Sequence, residues 1–425
     1  MTLRKSAPQR AAANAEALRR LGAAAPVLLD VRPAGEVVPG FSRDTILTSG
    51  PTLPWPQYVG GQRAAVLGAA LFEGLAANET EAERRIAEGA IKVRGCQELK
   101  CIGSLAGPYS ASMPVFVVQN RAAAGDAGNF GYCSIYEGTN HRRLNYGVYD
   151  EGVRDRLRYV GDVIAPALGE AVRSTGGIPL KPIMVSALHM SDDLHSRNTA
   201  ASLLFCRALF PGLLAMAATR REAAEKVVQA LTEDHYFFLR LSMAAAKSTA
   251  DAITGIEGSS VMSAMAFNCR GFSIRVAGLG ETWFNGPHAT VEAVLFKGHS
   301  QDEITWMGGE SPITETIGLG GFAQAAAFPL QKYQGGSPEG MVKRNLSLYN
   351  ITVGENPDFR IPFLQYRGTP TGVDIFKVLD TGIRPLMNIG VAGRDGGQIG
   401  AGTVQAPIEC FQLAAKAYRE RYGDE

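Results

Sequence analysis

The chain has 425 residues, of which 46% are hydrophobic and 20% are charged, and its formal net charge is +1. Length and composition indicate a globular protein of two or three domains rather than a disordered chain. A net charge this close to zero gives no electrostatic reason to expect nucleic acid or an anionic membrane as the partner. No apolar run of membrane-spanning length and no signal-peptide pattern is found, so we expect a cytoplasmic protein.

The six cysteines are scattered among apolar neighbours. The nearest two, Cys96 and Cys101, have no second pair beside them that would complete a zinc site. We therefore expect buried, reduced thiols, and the sequence predicts neither a metal nor a cofactor.

Residues 1–145 alternate helical and strand patterns, which favours an N-terminal α/β domain. The predicted helices are Ala11–Leu21, Gln62–Ala76 and Thr80–Glu88, the last with Asn78 or Thr80 as its N-cap. The predicted strands are Pro26–Val31, Met113–Gln119 and Phe130–Tyr136.

Residues 146–252 have few strand signals and read as a helical domain. The helical runs are Asp150–Arg173, Asp192–Arg221 and Glu222–Ala252. Two prolines in Ile178–Pro182 mark a break between elements.

Residues 253–425 mix strands, glycine-rich loops and helices, which favours a C-terminal mixed α/β domain. Predicted strands are Gly271–Val276 and Ala293–Phe296, and Pro407–Glu420 is predicted to close the chain as a helix. The fold class expected for the whole chain is therefore α/β, with some α+β mixing.

The glycine-rich segment Gly390–Pro407 ends directly ahead of the last predicted helix. Because glycine has no side chain, backbone N–H groups in this segment could approach a ligand closely. The N-terminus of the helix that follows would attract a negatively charged ligand. Gly400, Gly402 and Thr403 are therefore candidates for holding phosphate or carboxylate. The segment matches neither the dinucleotide-binding nor the P-loop pattern, and a plain connection between domains is the alternative.

The stretch Ser311–Pro329 places Glu315 between two threonines, ahead of a glycine cluster and an alanine-rich run that we expect to be helical. Hydroxyls and glycine amides near a helix start suit an anion, and the candidates are Thr314, Thr316, Gly318, Gly320 and Gly321. Glu315 itself would orient an amide, accept a proton or pair with an arginine such as Arg275. The alternative is a structural salt bridge, with Thr314 as a helix N-cap.

The sequence HMSDDLHSRN, residues 189–198, contains two histidines and two aspartates. If Ser191 caps a helix, both aspartates lie in the first turn, where negative charge is favoured. The spacing differs from the H-E-x-x-H zinc motif, which argues against a metal site. We favour a polar patch that faces a ligand and is made by His195, Arg197 and Asn198.

Two charged residues lie within apolar stretches. Arg275 is on the predicted strand Gly271–Val276, where its guanidinium would suit a carboxylate if it faced a pocket; a surface arginine is the alternative. Glu73 lies in an otherwise apolar helix and needs either a partner or a function. The chain has no G-x-S-x-G motif, so a serine hydrolase has no support.

Six motifs in order along the chain resemble the AllG (YlbE-like) family: LFEG, SASMPVFVVQN, HMSDDLHSRN, VAGLGETWF, ITETIGLGG and IGAGTVQAP. The resemblance extends from about Ala15 to Ala417. It implies a subunit of oxamate carbamoyltransferase with a distinct helical domain, working in anaerobic allantoin breakdown beside FdrA-type (AllF) and AllH-type subunits. The implied reaction is phosphorolysis of oxalurate to oxamate and carbamoyl phosphate, or the reverse.

The chain lacks the S-T-R-T and H-P-x-Q motifs of aspartate- and ornithine-type carbamoyltransferases, so the resemblance implies a different scaffold. It supplies no list of catalytic residues. Our own hypothesis assigns the anions to the two glycine-rich segments, a carboxylate to Arg275, and the proton on the departing nitrogen to Glu315 or His195. Two alternatives stay open: a non-catalytic subunit of the complex, and an amidohydrolase that needs neither phosphate nor partners.

Overall fold

The computed structural model describes residues 7–122, 128–135, 137 and 141–423. The strands in these ranges are β1 Pro26–Pro33, β2 Thr45–Thr48, β3 Lys92–Gly95, β4 Pro114–Asn120, β5 Phe130–Ser134, β6 Ile178–Pro179, β7 Met262–Asn268, β8 Gly271–Val276, β9 Phe284–Gly286, β10 Thr290–Leu295, β11 Ile304–Thr305, β12 Thr352–Ile361, β13 Arg367–Val373, β14 Leu386–Gly393 and β15 Gln398–Gln405.

The helices in the same ranges are α1 Ala7–Ala23, α2 Ala34–Val37, α3 Gly60–Phe72, α4 Glu79–Ala87, α5 Glu151–Tyr159, α6 Ala165–Ser174, α7 Leu180–His189, α8 Thr199–Ala217, α9 Arg221–Glu233, α10 Phe237–Ala250, α11 Ile313–Thr316, α12 Gln331–Gln334, α13 Pro338–Leu348, α14 Ile375–Thr381 and α15 Ile408–Tyr422. Short 3-10 turns and one π-helical turn lie between them. The expected mixed α/β class is confirmed.

The strands form several small sheets, which are mostly antiparallel. One sheet has the order β5-β4-β1-β6 and another has the order β10-β15-β14-β11. Strands β7, β8 and β9 form a third sheet, β12 pairs with β13, and β2 pairs with β3 in parallel. Strands β14 and β15 form a hairpin inside the second sheet. The pairing on both sides of the hairpin fixes the backbone of β14 and therefore the positions of its polar side chains.

The largest hydrophobic core joins the three segments of the chain. It contains Leu28 and Phe116 from β1 and β4, Phe205 and Phe238 from α8 and α10, and Leu319 from the stretch after α11. Helices α6, α7 and α10 thus cover the first sheet, and α8 packs against these helices, so the helical segment does not form a core of its own. The domain boundaries proposed from the sequence stay a prediction.

Several elements predicted in the N-terminal segment are found. Helix α4 begins after Asn78, whose side chain accepts a hydrogen bond from the Glu81 amide, as expected of an N-cap. The strand predicted over Phe130–Tyr136 is observed as Phe130–Ser134, and Tyr136 lies outside the described residues. All six cysteines are free and buried, which confirms that prediction.

Two predicted elements are wrong. The helix expected over Asp192–Arg221 begins only at Thr199, because Ser191 has the left-handed backbone angle φ 70° and starts a loop instead of capping a helix. The segment Gly390–Pro407 is largely the β14–β15 hairpin and not a loop. Its glycines are required by close strand packing, since a Cβ at Gly402 would overlap the carbonyl oxygen of Glu292 on β10.

Helix α8 is long and apolar enough to cross a membrane by length and composition alone. It packs against α6, α7, α9 and α10, and 50% of its most apolar window is buried inside the protein. That packing is typical of a core helix.

Candidate functional site

A pocket opens where the three segments of the chain meet. The N-terminal segment contributes Ser104, Leu105, Arg143 and Asn145, and the helical segment contributes Tyr146, His195, Ser196 and Tyr236. The C-terminal segment closes it with Gly308, Gly309, Tyr333, Asn388 and Gln398. The cavity has a volume of about 70 Å³.

His195, which lines this pocket, forms a buried pair with the carboxylate of Glu315, which does not itself line it. His195 Nδ1 lies 2.7 Å from Glu315 Oε1 and 3.0 Å from Oε2, and both side chains are buried. His195 lies on the loop before α8 and Glu315 on the short helix α11, so two segments far apart in sequence meet here. A carboxylate on Nδ1 leaves Nε2 as the ring nitrogen available to a ligand.

The surroundings of His195 favour its protonated form. Burial lowers the pKa of His195, but the charge of Glu315, its hydrogen bond and the charge of Asp193 together outweigh burial, and the net pKa is raised above the ordinary value. A buried imidazole that holds a proton near neutral pH is suited to giving that proton to a substrate.

Asp193 and Asn388 hold the loop that carries His195. The Asp193 carboxylate accepts hydrogen bonds from the backbone amides of His195, Ser196 and Arg197, at 3.2, 3.3 and 2.7 Å. Asn388 on β14 donates its side-chain amide to Asp193 and its backbone amide to Glu315 Oε1. Asn388 therefore joins the two halves of the histidine–carboxylate pair.

The backbone is strained on both sides of the pocket. Leu194, next to His195, has φ 65°, and the pocket-lining Leu105 has φ 52°. Non-glycine residues avoid this left-handed region, which costs roughly 1–3 kcal/mol, and such residues cluster at functional sites. The strain supports the assignment of this pocket as the functional site.

The predicted anion cradle at Gly318–Gly321 is occupied by the chain's own carboxylate. The Gly321 amide donates to Glu315 Oε1 at 3.0 Å, and a Cβ at Gly320 would overlap the Glu315 carboxylate. Gly318 lies with φ 91° against the hydroxyls of Thr369 and Thr371. The structure thus places the chain's own carboxylate at these glycines, and the predicted binding of phosphate or a substrate carboxylate there stays a prediction.

The two threonines beside Glu315 have different roles. The Thr314 hydroxyl lies 2.8 Å from Glu315 Oε2 and stabilises the carboxylate, whereas the Thr316 hydroxyl donates to the Pro312 carbonyl oxygen at 3.3 Å. Thr316 is buried and does not line the pocket. Its expected role in binding an anion is therefore not supported.

Arg197 and Asn198 support the loop instead of facing the pocket. The Arg197 guanidinium contacts Thr199 Oγ1 at 2.9 Å and Asp192 Oδ1 at 3.6 Å. The Asn198 side chain donates to the His195 carbonyl oxygen at 2.8 Å. Of the three residues of the predicted polar patch, only His195 lines the pocket.

Gly400, Gly402 and Thr403 lie within β15, between β10 and β14. Their backbone groups belong to a sheet, so they do not form the phosphate-binding loop that we predicted. The hairpin does reach the pocket, but through Asn388, Gly390 and Gln398.

Arg275 lies in a separate buried cluster. Its guanidinium stacks over Trp283 at 4.2 Å, and burial lowers its pKa, partly offset by Glu281 and Asp251. Lys247, also buried, lies 2.6 Å from Asp251 in the same region. The structure does not bring Arg275 to the pocket that contains His195, so its predicted contact with a substrate carboxylate is not supported.

Below the pocket, Glu310 connects three backbone segments. It is fully buried and accepts hydrogen bonds from the amides of Gly50 and Gly103, at 2.9 and 2.7 Å. Burial raises the pKa of Glu310 to about 7. Glu310 follows Gly308 and Gly309, and Gly103 precedes Ser104, so this carboxyl group fixes two walls of the pocket together.

Sequence reasoning missed the polar residues on the N-terminal wall. Arg143, Asn145 and Tyr146 line the pocket, and the Arg143 guanidinium lies 5.0 Å from the centre of the Tyr146 ring. The available signal was a short run of polar and aromatic residues, which resembles any surface turn. Across the residues that the structure describes, no group of three or more His, Cys, Asp or Glu side chains is arranged to hold a metal ion.

Comparison with known proteins adds a family and a fold. A family model described as "Oxamate carbamoyltransferase subunit AllG" matches residues 91–311. The Escherichia coli K12 protein of that name is 37% identical over 418 residues, covering 97% of this chain and 98% of the relative. The uncharacterized Escherichia coli K12 protein YahG is 39% identical, covering 97% of this chain and 87% of the relative.

A solved structure shares the whole fold. The crystal structure of a conserved protein of unknown function from Enterococcus faecalis V583 aligns with a TM-score of 0.92 at 36% identity. The alignment covers 97% of this chain and 98% of the other. The fold and the relative placement of the three segments are therefore those of a family with an experimental representative.

Proposed function

We propose, from the premise that this chain belongs to the AllG family, that it is the subunit of an oxamate carbamoyltransferase-like enzyme that carries the reacting pocket. The proposed reaction is oxalurate plus phosphate to oxamate plus carbamoyl phosphate, in cytoplasmic purine-nitrogen catabolism. Activity is proposed to require FdrA-type (AllF) and AllH-type partner subunits.

The observation that carries this proposal is the buried pair of His195 and Glu315, of which His195 lines a small polar pocket. Breaking the bond between the carbamoyl carbon and the inner nitrogen of oxalurate requires a proton on that nitrogen. A histidine whose pKa is raised by a buried carboxylate can supply it near neutral pH. Glu315 would hold the ring in place and stabilise its charged form.

The proposed step balances in atoms and charge. A phosphate oxygen bonds to the carbamoyl carbon, the carbon–nitrogen bond breaks, and His195 gives its proton to the nitrogen that becomes the oxamate amide. The hydrogen phosphate that attacks loses its own proton, which returns to His195. No oxidant, reductant or further reactant is needed.

The carboxylate of oxalurate needs a cation in the pocket, and Arg143 is the residue that we propose for it. Arg143 is buried and lines the same pocket as His195, whereas Arg275 does not. A guanidinium binds a carboxylate through two parallel hydrogen bonds, which also sets its orientation.

One observation favours a role as a subunit of a complex, which includes the alternative of a non-catalytic subunit. Helix α8 exposes Leu203, Phe210 and Leu214, with 62%, 50% and 73% of each residue accessible to solvent. Apolar side chains this exposed on one helix are typical of a surface that is covered by another protein. They fit any subunit of a complex, whether or not it carries the chemistry.

The decisive experiment measures carbamoyl phosphate formed from oxalurate and phosphate, by the chain alone and by the chain with both partner subunits. Activity in the mixture that is lost in His195→Asn and retained in Thr316→Ala supports the proposal, because Thr316 is equally buried but does not line the pocket. Unchanged activity in His195→Asn places the chemistry on a partner. Turnover of oxalurate by the chain alone without phosphate indicates an amidohydrolase.

A further inference from the structure

Helix α8 presents a row of four exposed side chains on the face that points away from the protein core. Leu203, Phe210 and Leu214 are each at least half exposed, and Arg207, which lies between the first two, is exposed as well. The opposite face of the helix is buried, with Leu209 fully inaccessible to solvent. We call the four exposed residues the α8 stripe.

The spacing of the α8 stripe is that of a coiled-coil seam. Its members follow one another at intervals of four, three and four residues, which are the d-to-a and a-to-d intervals of the heptad repeat. Residues at these intervals line one side of a helix over roughly 16 Å and insert between the side chains of a facing helix. The stripe therefore fits another α-helix.

Arg207 lies at an a position of this seam, and its charge has no counterpart within the chain. Among the side chains that the structure describes, no salt bridge or hydrogen bond to Arg207 is found. Helix α8 contains no Asp or Glu, and on the adjacent α9 the carboxylates of Glu222 and Glu225 already pair with Lys226 and Arg221, each at 2.7 Å. A guanidinium that becomes buried in an interface needs a carboxylate, so the partner has to bring one.

The charge of Arg207 argues against a second copy of this chain as the partner. In a two-fold symmetrical dimer the same surface faces itself. Two α8 stripes packed together would bring two guanidinium groups into one apolar interface, with no carboxylate from either helix. Like charges placed together in an interface are unfavourable, and a single polar residue at an a position commonly decides which helices pair.

A membrane surface fits the α8 stripe less well than a protein does. Helices that lie on a membrane are rich in Lys and Arg on their polar face. Helix α8 has Arg207 as its only charged residue, and the face opposite the stripe is buried in the protein.

We propose that the α8 stripe binds an amphipathic helix of another protein subunit, with an apolar face and an Asp or Glu that meets Arg207. The proposal rests on the proposed function, which assigns partner subunits to this chain, and it names the surface that one of them covers. Phe210 and Arg207 form the centre of the contact, because aromatic and arginine side chains dominate the cores of protein interfaces.

The partner is thereby placed on the helix that leads away from the reacting pocket. Helix α8 begins at Thr199, directly after the loop that carries His195, and the Ala201 amide in its first turn donates to Asp192 at 2.8 Å. A helix bound along the stripe holds α8 in place, and with it the end of this loop. This contact gives a physical reason for activity to depend on assembly.

Sedimentation velocity of the full chain, mixed with the purified FdrA-type or AllH-type subunit, tests the proposal. We expect the wild type to form a complex with one of them. Phe210→Asp should weaken that complex at least about tenfold, because it places a charge in the apolar seam, and Arg207→Glu should weaken it to a similar degree. Leu413→Asp is the matched control, because Leu413 on α15 is 46% exposed but lies outside the stripe, and it should bind as the wild type does.

Photo-cross-linking identifies what covers the stripe. Leu203 is replaced by a benzophenone amino acid, the complex is irradiated, and the cross-linked peptide is sequenced by mass spectrometry. We expect a segment of the partner subunit with apolar residues three and four positions apart and an Asp or Glu among them. Exchange of that acidic residue for Lys should restore binding to the Arg207→Glu chain.

Several results would overturn the proposal. One is a Phe210→Asp chain that keeps its circular dichroism spectrum and binds the partner as tightly as the wild type does. Another is the absence of a complex between the wild type and either subunit. A cross-link to a second copy of the chain, or flotation of the wild type but not Phe210→Asp with phosphatidylserine vesicles, would assign the stripe to a different occupant.

The proposed function and this interface can fail separately. If the complex forms through the stripe but makes no carbamoyl phosphate from oxalurate, the reaction is wrong and the interface stands. If the assembled enzyme turns over oxalurate and Phe210→Asp assembles normally, the reaction stands and the partner binds elsewhere.

Discussion

At the scale of single residues, the site depends on one carboxylate with an unusual number of partners. Glu315 receives hydrogen bonds from the Gly321 and Asn388 amides and from the Thr314 hydroxyl, in addition to the imidazole of His195. Such a fully hydrogen-bonded carboxylate is held rigidly despite complete burial. Its charge and its hydrogen bond raise the pKa of His195 against the opposing effect of burial.

Replacing Glu315 by Gln should therefore change the pH profile as well as the rate. Without the carboxylate charge, burial dominates and the pKa of His195 falls. We expect kcat of the assembled enzyme to fall by about 10²-fold, and the limb on which activity is lost with rising pH to move to lower pH. The measurement is kcat against pH for the wild type, Glu315→Gln and Thr316→Ala, and a fall in rate with no movement of that limb would contradict the assigned role.

Glu310 makes stability depend on pH. The folded protein holds a proton on Glu310 up to about pH 7, whereas the unfolded chain releases it near the ordinary value of 4.5. The wild type therefore loses stability as the pH rises from about 4.5 to about 7, by up to roughly 3 kcal/mol from this group.

Glu310→Gln removes the titration and should make the variant less sensitive to pH. The difference in thermal midpoint, wild type minus variant, should decrease between pH 4.5 and 7 and then stay level. Differential scanning fluorimetry across that range tests this. A difference that is constant over the whole range would mean that Glu310 is ionised in the folded protein throughout.

At the scale of elements, the turn after α11 is shaped around the Glu315 side chain. Gly320 has φ 57°, and its missing Cβ leaves the space that the carboxylate fills. Gly382 after α14 has a similar angle, φ 68°, but open space where a Cβ would be. Alanine variants at these two glycines therefore distinguish the effect of backbone strain, which both share, from the effect of side-chain overlap, which only Gly320 has.

Alanine at these two positions should have different effects on activity. Both variants incur the strain of a left-handed alanine, roughly 1–2 kcal/mol, and should lose stability to a similar degree from that source. Only Gly320→Ala displaces Glu315, so we expect it to lose at least about tenfold in kcat while Gly382→Ala retains its activity. Equal activity in both variants would show that the position of Glu315 does not matter.

The sequence predicts features that depend on residues close together in the chain, and it does not predict contacts between residues that are far apart in it. Helices and strands with a clear pattern, such as α4 with its Asn78 cap, depend on neighbours within a few positions and were predicted. His195 and Glu315 were both singled out, but their contact joins residues 120 positions apart and has no local signal. The glycines of β15 were misread because a close strand neighbour and a ligand-binding loop require the same residue type.

At the scale of the whole molecule, the pocket and the main core both cross the proposed segment boundaries. The pocket takes Asn145, His195 and Asn388 from the three segments, and the core takes Phe116, Phe205 and Leu319. No segment can lose its packing without opening the pocket. The chain should therefore behave as one cooperative unit around its site.

Calorimetry can test this cooperativity. We expect a single unfolding transition for the isolated chain, and a segment of residues 146–252 expressed alone should not fold, because the helices that cover β1 and β4 would expose their apolar faces. Two well-separated transitions, or a folded fragment with a cooperative melt, would instead show that the helical segment is an independent domain.

The cradle around Glu315 has a further consequence, because the anion that fills it is a side chain and can be removed. Glu315→Ala would leave a cavity surrounded by the Gly321 and Asn388 amides, the Thr314 hydroxyl and the imidazole of His195. Formate, added as a free salt, is small enough to enter that cavity and restore the lost negative charge. Millimolar formate should then restore activity to the Glu315→Ala enzyme in a saturable way. It should leave the residual activity of Glu315→Gln unchanged, because that side chain still fills the space. A charge that is normally part of the structure would then act as an activator supplied from solution.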